Sequence, residues 1–144
     1  MGRRRFRRLL VGPDTYRWHA GHVHSRSDDQ VVDCREVLLL RKEGRSGHVR
    51  IVFPKGEGGL ISDGTPYTHD GGVRGSGDDD MINLHRPRVV RAFADVVTAR
   101  GHDFASGAGL DGWSLLPAVR AHLAGASRSP AGERPRHPRP APSS

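Results

Sequence analysis

Strict alternation marks the first half of the chain. In Tyr16-Arg17-Trp18-His19-Ala20, Tyr16, Trp18 and Ala20 share one face of a strand and Arg17 and His19 share the other. Phe6 to Val11 predicts a preceding strand, and Gly12-Pro13-Asp14 supplies the turn that joins the two as a hairpin. Glu36-Val37-Leu38-Leu39-Leu40-Arg41 is an apolar run too short for a helix and capped by charges, which predicts a central strand covered on both faces. After the turn Gly44–Gly47, Val49, Ile51 and Phe53 return on one face, and Pro54 ends that strand by withdrawing a backbone donor. The polar stretch 25–33 reads as a loop.

The period lengthens after residue 80. Val89, Val90, Phe93, Val96 and Val97 form a single helical stripe, with Pro87 in the first turn and Gly101 placed to cap the far end. A short edge strand over 113–116 and a short helix from Pro117 to Leu123 follow. Residues 55–80, rich in Gly and Asp and without periodicity, predict one long loop. The fold class is α+β: a small antiparallel β-sheet of four to five strands covered by one main amphipathic helix, in two layers. The organisation is a basic arm (1–8), a single domain (9–124) and a disordered Arg/Pro-rich tail (125–144).

Charge follows this division. The chain carries +7, yet residues 9–124 hold 14 basic against 15 acidic residues, so the net charge resides in the two ends. A basic chain suggests nucleic acid, and here that inference falls on the ends. Arg3, Arg4, Arg5, Arg7 and Arg8 can lie along phosphates with salt-sensitive, sequence-blind affinity. No recognition helix or zinc finger accompanies them, and a solubilising tail is the favoured reading. Arginine outnumbers lysine 21 to 2, the mark of a GC-rich coding bias.

Cys34 is the only cysteine, so an intrachain disulfide is excluded and a reducing, cytoplasmic setting is expected. Its place before an aliphatic strand suits a small buried hydrophobe. No apolar run reaches the ~20 residues of a membrane span, so no membrane partner is expected. Arg3-Arg4-Arg5-Phe6 resembles an export signal, but Leu9-Leu10-Val11 is too short for its apolar region.

Catalytic patterns are missing. Neither lysine sits in a Walker A loop, and the Gly72–Gly77 run does not open directly into a helix. No serine or cysteine has a nucleophile setting, so no catalytic residue and no cofactor is assigned. The metal candidate is His22-Val23-His24 with Asp28 (or Asp29) behind it: imidazoles at i and i+2 of a strand point to one face. This resembles the His-x-His and acid pattern of cupin barrels in these residues alone. The acid is Asp rather than Glu, and a solvated strand end is the favoured reading. Asp78-Asp79-Asp80 offers hard oxygen ligands but lacks EF-hand spacing, and reads as a solvated run.

Tyr16-Arg17-Trp18, together with Ile82-Asn83-Leu84-His85-Arg86-Pro87 and Val89-Val90-Arg91-Ala92, resembles small uncharacterised actinobacterial proteins in which a Tyr-x-Trp strand precedes a Pro-opened helix. The resemblance implies a domain over roughly residues 9–120 and transfers no functional site. The expected function is a small non-catalytic binding or adaptor domain that meets a protein partner through its sheet face or the 55–80 loop. One alternative is a nucleic-acid-associated protein using the basic ends. Another is a metal-dependent enzyme using His22, His24 and a nearby Asp, which convergence with His69 would favour.

Overall fold

A computed structural model describes residues 5–28, 30–56, 58–61, 71–107 and 109–128. Strands β1 (Arg7–Val11), β2 (Asp14–Ser27), β3 (Gln30–Lys42) and β4 (Val49–Pro54) follow in antiparallel succession. A three-residue strand joins β4 in parallel and completes a five-stranded sheet. The expected α+β two-layer architecture is present, and two helices cover the sheet instead of one dominant helix.

Period-two burial builds the core. Tyr16, Trp18 and Ala20 of β2, Leu38 and Leu40 of β3, and Val49, Ile51 and Phe53 of β4 all face the helical layer and are buried. Helix α1 (Pro87–Ala99) lays Val89, Val90, Phe93, Val96 and Val97 against them, and helix α2 (Gly112–Arg128) adds Leu115, Leu116 and Val119. Phe53 is the hub. Its ring meets Phe93 edge-on at 5.7 Å and Trp113 at 5.1 Å, a favoured aromatic geometry. The Trp113 indole N–H donates to the Pro54 carbonyl at 2.8 Å. Gly112 lets α2 start this close, because a Cβ there would overlap the Phe53 ring.

Three expectations are corrected. Residues 25–33 are no loop: β2 and β3 run 14 and 13 residues and continue as a ribbon to a turn at Asp28, which takes φ 53°. Beyond Trp18 the ribbon has no β1 neighbour, and beyond Arg35 no β4 neighbour, so its outer half is held by its own ladder. Its sequence, rich in Ser, Arg and Asp, shows no hydrophobic alternation. Within 55–83 lies a second sheet of β5 (Gly59–Ile61), β6 (Gly72–Gly75) and β7 (Ile82–Asn83), anchored by the buried Val73. Strands this short and glycine-rich leave no periodic signal.

The third correction concerns α2. The expected strand at 113–116 is helical, and the strand is β8 (Gly109–Asp111) just before it. Asp111 Oδ1 accepts the Trp113 backbone N–H at 3.2 Å, and the Ser114 hydroxyl donates to the Asp111 carbonyl at 2.9 Å. An acidic side chain satisfying an orphan N–H starts a helix there, so Pro117 falls inside α2 rather than opening it. The helix runs through Arg128, which claims the first residues of the expected tail. The rest of that tail lies outside the described residues, as do Arg3, Arg4 and His69. Among the described residues no helix is long and apolar enough to cross a membrane.

Candidate functional site

The helices cover one face of the sheet and leave the other open. On that open face Arg8 stands opposite Arg17, and Arg17 stands opposite Arg41, so three exposed arginines occupy one rung across β1, β2 and β3. Adjacent strands lie ~4.8 Å apart, which puts the three backbone positions within about 10 Å. Like charges placed directly opposite destabilise a sheet. Glu43 offsets one of them, with Arg17 Nε donating to Oε2 at 2.9 Å, but an exposed pair of this kind contributes little.

The following rungs extend the pattern. His19, Leu39 and Arg50 form one, Gly21, Val37 and Val52 the next, and Val23 with Arg35 a third. Five arginines and two histidines (His19 and His48) therefore share this face, and among the described side chains Glu43 is the acid that meets them. Other described acids are engaged away from this face. Asp78 and Asp80 are held by Arg120 of α2, at 2.8 Å and 3.1 Å. Asp95 accepts from His122 at 3.0 Å, and Asp103 and Asp111 cap helical turns. Among the described side chains this face is therefore predominantly basic, so basicity is not confined to the ends.

Gly21 leaves a hollow in the middle of this face, about 610 Å³ in volume. Val37, Leu39 and Val52 form its floor, and His19, Arg35, His48 and Arg50 stand around it. Val37 and Leu39 are buried although no helix lies over them. Their neighbours on β2 and β4 flank them, and the longer side chains stand at the rim of the hollow. The central strand is thus buried on both faces, as its apolar run predicts.

His19 has a fixed pose. Its Nδ1 lies 3.2 Å from the Arg5 carbonyl oxygen, which can only accept, so Nδ1 carries the hydrogen. The ring packs against Phe6 at 5.8 Å, and Arg41 lies over Phe6 at 5.8 Å. Its Nε2 turns toward the hollow, 3.3 Å from where a Cβ on Gly21 would sit.

Strand alternation splits the predicted basic arm. Arg8 joins the open face, whereas Arg7 crosses to the core side, where its guanidinium covers the Trp18 ring at 4.8 Å and donates to the His85 carbonyl at 3.3 Å. Arg5 contributes the carbonyl that orients His19.

Of the metal candidates, His22 and Asp28 have described side chains, and these two lie apart. His22 faces the core and its Nδ1 lies 2.6 Å from Glu36 Oε2. The His24 side chain is outside the described residues. Asp28 occupies the exposed ribbon turn, six residues and so about 20 Å along the strand from His22. Among the described residues no three His, Cys, Asp or Glu side chains cluster as a metal site. Asp78 and Asp80, expected to be a solvated run, are gripped by Arg120. Cys34 is half-buried.

Sequence reasoning missed Glu36, which is fully buried and also accepts the Gly71 N–H at 3.1 Å. No local pattern marks it, because its partner is set by the β2–β3 register. For the open face a signal existed: Arg17 and Arg50 are polar positions of alternating strands, and Arg41 is the charge that caps the central apolar run. No known protein family, curated protein or solved structure matches the chain. The likeness to actinobacterial proteins rests on the quoted residues alone.

Proposed function

We propose that this chain is a small non-catalytic binding domain, working in the cytoplasm, whose open sheet face holds a nucleic acid. The observation that supports this reading is the rung Arg8–Arg17–Arg41, three like charges side by side where a sheet loses stability by placing them. A line of phosphates relieves that repulsion and releases counterions in doing so. Phe6 and His19 beside the rung add aromatic surface, which a nucleic acid uses and an acidic protein surface does not require. The ends of the chain then supplement the face instead of supplying the site.

The test is fluorescence anisotropy of a labelled twelve-nucleotide strand at 50 and 200 mM NaCl. Binding should weaken with salt at a slope of about 0.7 per neutralised phosphate. Replacing Arg8, Arg17 and Arg41 together by Thr should cost more than tenfold in affinity, whereas removing residues 1–4 and 129–144 should cost less. No binding at 50 mM salt, or binding carried wholly by the ends, overturns the reading.

A further inference from the structure

We infer that the hollow over Gly21 takes one unstacked nucleobase, so that the nucleic acid held on this face is single-stranded. The inference rests on the proposed nucleic-acid reading and deepens it. A surface that only neutralises phosphates needs cations and nothing else. Here the cations surround an apolar floor of Val37, Leu39 and Val52, in a hollow whose 610 Å³ falls within the range of small-ligand sites. An apolar floor has no use for a phosphate and suits the face of a base.

The polar parts are arranged for the same occupant. His19 is held on two sides, by the Arg5 carbonyl and the Phe6 ring, and presents Nε2 at the hollow. A ring fixed in this way can meet a base edge with little loss of its own freedom. Arg50 stands on the same rung, two strands and so about 10 Å away, where the phosphate next to an inserted base can lie. A duplex keeps its bases inside the stack and cannot fill a hollow in a sheet. A single strand can turn one base out, as sheet surfaces that bind single strands require.

The experiment compares three ligands of equal strand length by anisotropy at 50 mM NaCl: a twelve-nucleotide strand, its duplex, and an abasic strand of the same backbone. The wild-type chain should bind the intact strand about 5- to 150-fold more tightly than the abasic one, the range expected for one base contact, and more tightly than the duplex. Gly21→Val fills the hollow with a residue suited to a strand and should shrink the intact-to-abasic gap to within about twofold. His19→Ala, which leaves backbone and floor in place, should shrink the same gap independently. Equal binding of intact and abasic strands by the wild type overturns the base pocket while the phosphate-binding reading stands. A gap that persists in both variants moves the base contact elsewhere and also overturns it. Failure of every ligand to bind ends the nucleic-acid reading itself.

Discussion

Arg17 and Arg41 are direct cross-strand neighbours on the open face of the sheet. Arg17 has an acidic partner in Glu43, while Arg41 lies over the Phe6 ring. Their adjacency is a local conflict between stability and surface charge. Arg41→Thr should therefore raise stability by about 0.2–1 kcal/mol at low salt, with the gain fading as salt screens the repulsion. The same change should weaken nucleic-acid binding. Thermal melts at 20 and 500 mM NaCl beside anisotropy check both signs; a destabilised variant would contradict the account of the rung.

Glu36 and His22 form a polar pair on the core side of the sheet, with a fully buried carboxylate. Removing His22 takes one partner from a buried carboxylate that keeps the Gly71 N–H. His22→Ala should thus destabilise the fold by about 1.5–3 kcal/mol, the range for a hydrogen bond to a charged group, and His22→Gln by less, because the amide can still donate to Glu36. Urea denaturation with unchanged m-values would measure the two losses.

Gly112 is a packing position. A side chain there must displace Phe53 or the start of α2, so Gly112→Ala should cost about 1–3 kcal/mol despite the better helix propensity of alanine. Circular dichroism melts of this variant against Gly125→Ala, whose site is open, would separate packing from propensity.

Trp18 is almost wholly buried, and its indole N–H has no hydrogen-bond partner among the described residues. Trp18→Phe loses volume but also removes that unsatisfied donor, whose burial costs roughly 1–3 kcal/mol. The net loss should stay below about 2 kcal/mol, compared with the ~3–5 kcal/mol expected for Phe93→Ala. Chemical denaturation of the two variants gives the comparison.

The core strands and α1 were legible in the sequence because burial on one side writes a local period. Tyr16, Trp18 and Ala20 spell a strand, and Val89, Val90, Phe93, Val96 and Val97 spell a helix, whatever lies across from them. Where burial is absent or shared, that record fails. The outer ribbon and the small second sheet have no apolar alternation, and α2 begins at Gly112 because the Asp111 side chain caps it, not where Pro117 would open a helix.

The sequence by itself determined which residues turn inward, that cysteine chemistry has a single thiol, and that the two ends are basic. Only the tertiary structure decided which charges become neighbours. Arg8, Arg17 and Arg41 are separated by 9 and 24 positions in the chain, yet the antiparallel register sets them on one rung. The same register pairs His22 with Glu36 and places Gly21 over Val37. Alternation assigns a residue to a face from its own neighbours, whereas register depends on where two distant segments lock together.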